Sequence, residues 1–219
     1  MSQPTKLVLI GPPGVGKGTQ AMLLETRLHA VPLSSGAIFR SEIEQGTELG
    51  LLAKDYIEKG QLVPDDVTIA MMSRRLRQDD VSQNGFILDG FPRTVKQAES
   101  LDTILLELGF PIDAVVQLIV EDEVVVERLA GRLTCPKCGA TFHLKNCPPK
   151  VEGICDRCGT ELMMRADDHP DAIRRRLVEF REKTAPVVGY YASRGILRPV
   201  DADRSPEEVY SEIVRGIRV

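Results

Sequence analysis

The stretch Lys6–His29, "KLVLIGPPGVGKGTQAMLLETRLH", constrains this chain more than any other. A short apolar run, Lys6–Ile10, leads into glycines at 11, 14, 16 and 18, and apolar residues at helical spacing follow. Strand, glycine loop and helix form a unit that buries the strand in a sheet and packs the helix on one face of it. Glycines let backbone N–H groups converge on phosphate oxygens, a helix starting near Lys17 adds its positive end, and Lys17 adds a point charge. The pattern is nearly G-x-x-x-x-G-K-[ST], but Gly18 stands where the hydroxyl that ligates Mg²⁺ is normally found.

Gly18 displaces that hydroxyl to Thr19, about a hundred degrees further round the helix. Another group must then hold the ion, and Asp89 in "LDGFPR" is placed for it. It ends a buried apolar run, at the edge of the sheet where ligands bind, and a carboxylate can hold Mg²⁺ through its water shell. Taken alone, an Asp before Gly equally makes a turn.

The pattern recurs at Gly85–Gly90 ("GFILDG") and Ala114–Val120 ("AVVQLIV"), continuous apolar runs separated by amphipathic stretches. This predicts an α/β fold, a P-loop three-layer parallel sheet core. "SPEE" predicts a last helix with Ser205 as N-cap, Pro206 first and Glu208 closing a capping box. Two insertions interrupt the alternation. Residues 34–63 read as two short helices around Gly46, and residues 133–168 as a Gly/Pro/Cys-rich insertion; residues 1–33, 64–132 and 169–219 form the core.

All five cysteines fall between Cys135 and Cys158. "CPKC" (Cys135, Cys138) and "CDRC" (Cys155, Cys158) are two knuckles, each followed by glycine, with 16 residues between them. This spacing suits four thiolates closed around Zn²⁺, a structural site with no open position. In 219 residues with a formal charge of −4, no apolar run approaches a membrane span and the "MSQPT" start is no secretory signal, so a cytoplasmic location is expected, with neither membrane nor nucleic acid as partner. A zinc ribbon binding nucleic acid would need basic residues interleaved with aromatics, and the second insertion offers only Phe142. A signalling GTPase would need an N-K-x-D tetrapeptide, which is missing.

"GPPGVGKGT" together with "LDGFPRT" (Leu88–Thr94) resembles the adenylate kinases among the nucleoside monophosphate kinases. "SSGAIFR" (Ser34–Arg40), "GQLVPDD" (Gly60–Asp66), "ERLAGR" (Glu127–Arg132), "RADDHPDAIRRRL" (Arg165–Leu177) and "TAPVVGYY" (Thr184–Tyr191) extend the resemblance nearly end to end, to the long-lid bacterial type with a zinc-binding lid. It implies MgATP + AMP ⇌ MgADP + ADP, with Mg²⁺ and a structural lid Zn²⁺ on the four cysteines, in a monomer.

The resemblance further implies Gly14, Gly16, Lys17, Gly18, Thr19, Arg128 and Arg132 at ATP, with Arg128 near the donor adenine. At AMP it places Ser35, Arg40, Val63, Gly90, Arg93, Gln97, Arg165 and Arg176; Ser35, the Gly90 backbone and Gln97 would read adenine. The catalytic set becomes Lys17, Asp89, Arg93, Arg132, Arg165 and Arg176. Arg128 and Arg132, one helical turn apart, are expected to point the same way. Of the run Arg174–Arg176 only Arg176 matches a family position, leaving the rest as a solvated face. The chain departs from the family at Ala37, usually Asp, and at Asn146 and Cys147, where an aromatic and an asparagine are more usual; these bear on local geometry and the donor base. His143 is a family histidine not needed for zinc. The rivals within the class are other nucleotide pairs, such as GTP:AMP or UMP/CMP kinases.

Overall fold

A computed structural model describes residues 4–217; the opening Met1–Gln3 and residues 218–219 lie outside the described residues. Strands numbered along the chain, β1 (Thr5–Ile10), β2 (Val31–Ser34), β3 (Gly85–Asp89), β4 (Ala114–Ile119) and β7 (Leu197–Asp201), make a parallel sheet in the order β2-β3-β1-β4-β7. Successive side chains of a strand point to opposite faces. Val8, Ile10, Phe86 and Leu88 therefore enter one apolar layer, while Leu7, Leu9, Ile87 and Val116 enter the other. Helices α4 (Asp65–Leu76), α5 (Asp79–Asn84), α6 (Val95–Leu108) and α9 (Ala185–Ala192) contribute to the first layer, and α1 (Lys17–Leu28) and α10 (Pro206–Ile217) to the second. Those are the three layers the sequence predicts.

The inner strands lie where their apolar runs place them. The flanking strands β2 and β7 were not predicted: "VPLS" and "LRPVD" are short and each carries a proline, which a sheet tolerates at its edge. Ser205 and Glu208 form the expected capping box, Ser205 N–H donating to the Glu208 carboxylate and Glu208 N–H to the Ser205 hydroxyl.

The first insertion is α2 (Ser35–Glu44) and α3 (Glu48–Glu58), with Ser34 and Thr47 as N-caps accepting from Ala37 N–H and Gly50 N–H. A Cβ on Gly50 would collide with the Glu42 backbone, so the two helices pack at backbone distance. The second insertion follows α7 (Asp122–Ala130). It contains a two-stranded antiparallel sheet, β5 (Arg132–Thr134) with β6 (Thr141–His143), around a small cluster of Cys135, Ala140, Phe142, Cys155 and Leu162. The chain rejoins the core through a 3₁₀ turn (Ala166–Asp168) and α8 (Pro170–Glu179), which runs through a π-turn into α9.

Candidate active site

Asp89 is the register partner of both Leu9 in β1 and Ser34 in β2, so the loops after these strands leave the sheet abreast at its carboxyl edge. That is where parallel sheets bind ligands. Gly90 pins two of the loops together. Its carbonyl accepts from Ser35 Oγ (2.6 Å) and Arg93 Nε (2.8 Å), its φ is +76°, and a Cβ there would stand 2.7 Å from Arg93 Nη2. Only glycine meets both conditions.

Gly16, with φ 110°, turns the phosphate loop into α1. The Lys17 ammonium donates to the carbonyls of Gly11 and Pro12, both at 2.8 Å. Burial pushes its pKa down to about 8 despite the opposing field of Asp89. Gly14, Gly16 and Gly18 line this loop, and Thr19 is exposed, its hydroxyl making no hydrogen bond among the described residues. The Asp89 carboxylate also accepts no hydrogen bond among the described residues, although its charge acts on Lys17 and Arg93. A free carboxylate beside two cations fits the expected role of holding a hydrated Mg²⁺.

Next to this loop a cavity opens between the first insertion and the core. Its ionised lining is Arg40, Arg93, Arg165 and Arg176 against the single carboxylate of Asp167. Ser35, Val63 and Gln97 line it as well. Arg40 has no hydrogen-bond or ion-pair partner among the described residues, and burial followed by repulsion from Arg165 pushes its pKa down to about 9. Burial likewise lowers Arg176, to about 10, and Arg93. Four crowded arginines with one carboxylate form a site for a multiply charged anion. By contrast, the depression between α7 and α8 sets Asp122 and Glu123 against Arg174 and Arg181, and Arg181 is paired with Asp122.

Three of the site arginines meet two acids that the sequence alone did not single out. Arg132 donates through Nε to Asp168 (2.7 Å) and its Nη2 pairs with the same carboxylate; Arg165 holds Asp167 through two bonds (2.9 and 2.7 Å); Arg176 bridges both acids. Asp168 is 2 % exposed and Asp167 7 %. Burial pushes the Asp167 pKa up, but Arg176 and Arg165 together bring it well below the usual carboxylate range. Their signal lay in the string "RADDHP", where two acids follow an arginine that needs partners.

Arg128 and Arg132 do not share a helix face, which corrects the expectation. The helix α7 stops at Ala130, and a Cβ on Gly131 would collide with the His143 ring, so the chain turns into β5 before Arg132. Arg132 thus faces Asp168, while Arg128 donates to the carbonyls of Val15 (3.2 Å) and Ala202 (3.1 Å), joining the phosphate loop to the turn before α10. Arg174 and Arg175 are exposed, in keeping with a solvated face. Gln97, which an exposed helix position would have explained away, is 1 % exposed.

In the lid, the Sγ atoms of Cys135, Cys138, Cys155 and Cys158 all lie within 4.8 Å of one another. Gly139 and Gly159, both at φ 71°, follow the second thiol of each knuckle. Four convergent thiols fit a tetrahedral zinc. His143 stays outside the set: its Nδ1 accepts from the N–H groups of Lys145 and Asn146, both at 3.0 Å. Cys147 is exposed, and its carbonyl accepts from His143 N–H.

A family model described as Adenylate kinase matches residues 9–196 of the chain. Among curated proteins the chain is 50 % identical to Adenylate kinase of Acidothermus cellulolyticus over 97 % of this chain and 98 % of that protein. It is 48 % identical to Adenylate kinase of Salinispora tropica (97 % and 98 % covered) and 46 % identical to that of Carboxydothermus hydrogenoformans (97 % and 99 % covered).

Proposed function

The chain belongs to the adenylate kinase family and catalyses MgATP + AMP ⇌ MgADP + ADP; from that premise we propose which of its residues carry the reaction. The observation that carries the assignment is the arginine-rich cavity beside the phosphate loop, with Arg40 unpaired among the described residues. Arg40 and Arg93 take the AMP phosphate. Ser35, the Gly90 backbone and Gln97 take its adenine, against a wall that includes Val63. Gly14, Gly16, Gly18 and Thr19 with Lys17 form the cradle for the ATP phosphates, and Arg128 borders the donor base from its position between the loop and Ala202.

Phosphoryl transfer needs charge neutralised around the moving group and water kept from it, more than covalent help. Arg132, Arg165 and Arg176 supply that charge. Asp167 and Asp168 hold these guanidiniums in place, so phosphate oxygens meet donors already oriented. No general base is needed, because the attacking phosphate oxygen is already anionic. Magnesium accompanying the nucleotide would be held through its water by Asp89 and would neutralise phosphate charge. The four lid cysteines would hold zinc as a closed, structural site that substitutes for a core which so short a segment cannot build.

We assign residues 1–33, 64–132 and 169–219 to the core, 34–63 to the AMP-binding flap and 133–168 to the lid; the separate small cluster in the lid supports this division. Closure of both flaps expels water before transfer. A monomer suffices, since both phosphate sites lie on one chain, and a reducing cytoplasm suits four thiolates held for a metal. The site assignment is tested by Lys17→Ala and Arg93→Ala. Each is expected to cost at least about a hundredfold in turnover with an unchanged circular dichroism spectrum; near-normal turnover in either would overturn the assignment.

A further inference from the structure

The amide of Gln97 is held at both ends. Its Oε1 accepts from Arg93 N–H at 2.8 Å, and its Nε2 donates to Asp65 Oδ1 at 2.7 Å. The other oxygen of Asp65 accepts from the hydroxyl of Thr94, the N-cap of α6, at 3.0 Å. Asp65 opens α4, immediately after the Val63–Pro64 turn, so this carboxylate ties the end of the first insertion to the helix that carries Gln97.

A backbone N–H can only donate and a carboxylate only accepts. The amide therefore has one orientation here: flipped, it would set N–H against N–H at Arg93 and oxygen against oxygen at Asp65. With these two bonds made, Gln97 keeps one free lone pair on Oε1 and one free N–H on Nε2, which have no other partner among the described residues. A 6-aminopurine offers a donor at its 6-position and an acceptor at N1. A 6-oxopurine offers the same two groups in reverse order. An amide free to turn over would accept either; one locked in place accepts one.

We infer that Asp65 is a specificity-determining positioning residue: by locking the Gln97 amide it makes the acceptor site choose 6-aminopurine over 6-oxopurine monophosphates. This rests on the proposed reading of the base by Gln97. Asp65 acts through Gln97 and touches no reacting atom.

The test compares kcat/KM for AMP with that for inosine monophosphate, which has a 6-oxo group and no 2-amino group, at saturating MgATP. Asp65→Asn leaves an amide that can face either end of Gln97, so that only Arg93 N–H still selects its orientation, and the preference for AMP is expected to fall about tenfold. That fall should come mainly through KM for AMP, with KM for ATP unchanged. Asp65→Glu keeps an acceptor-only group and is expected to retain the preference even if both rates drop. A melting temperature lowered in Asp65→Asn with the AMP preference intact would reduce Asp65 to a structural tie and overturn the inference. Gln97→Ala separates the two levels. If it lowers the preference and Asp65→Asn does not, only the inference fails. If Gln97→Ala leaves the preference and the KM for AMP unchanged, the reading of the base by Gln97 fails, and the inference with it.

Discussion

Lys17 waits on the carbonyls of its own loop, with its charge disfavoured by burial. The folded-state pKa, about 8, lies below the unfolded value of 10.5. This costs stability below about pH 8, and the cost is relieved as pH rises from there to 10.5. Phosphate oxygens reverse the balance by favouring the ammonium. Between pH 8 and 10.5, ATP binding is therefore expected to take up a proton, measurable by titration calorimetry in buffers of different ionisation enthalpy; heats independent of buffer at pH 9 would contradict it. Gly18 lies beside this lysine, and a Cβ there would meet nothing within 4 Å. Gly18→Ser is expected to fold normally and to gain about 0.5 kcal/mol from helix propensity, a rise of ~1–2 °C in melting temperature. A fall would mean that the glycine serves a close approach present only in another state of the loop.

At the scale of elements, the acids of the 3₁₀ turn lock two others together. Asp168 joins β5 through Arg132 and α8 through Arg176, while fully enclosed. Asp168→Ala would leave the largely buried Arg132 guanidinium without its charge partner and Arg176 with Asp167 alone, a cost of about 3 kcal/mol. Melting temperature should drop by ~6–12 °C, and an unchanged value would show that the cluster is not closed in solution. Much at this scale was legible beforehand. Inner strands announce themselves as unbroken apolar runs, and α10 by its capping box, because both signals are local. The edge strands β2 and β7 were not legible, since each is short and interrupted by a proline, Pro32 or Pro199, which hides a strand that only sheet pairing supports. The separation of Arg128 from Arg132 was hidden for a similar reason. It depends on His143 lying against Gly131, a contact between residues twelve apart in sequence. The phosphate loop and the thiol knuckles could be read because their geometry is encoded in spacing alone. The partners Asp65, Asp167 and Asp168 needed the fold to bring them to their arginines and amide.

For the whole molecule, the lid and the core are stabilised by different means. Two extensive apolar layers hold the core, whereas the lid cluster contains a handful of residues, two of them cysteines. If the four thiols hold the proposed zinc, a chelator is expected to lower the melting temperature by about 5–10 °C while sparing most activity at low temperature. An apo form with unchanged melting and no activity would contradict a structural zinc. Above this stands the central claim that one sheet edge joins an ATP-phosphate loop to an arginine-lined AMP cavity. The measurement that tests it most directly is product analysis by anion-exchange chromatography after incubating the protein and MgATP with AMP, CMP, UMP or GMP separately, and MgGTP with AMP. The expected result is ADP formed from ATP and AMP, with the other pairs far slower; equal or faster transfer to another monophosphate, or from GTP, would contradict it.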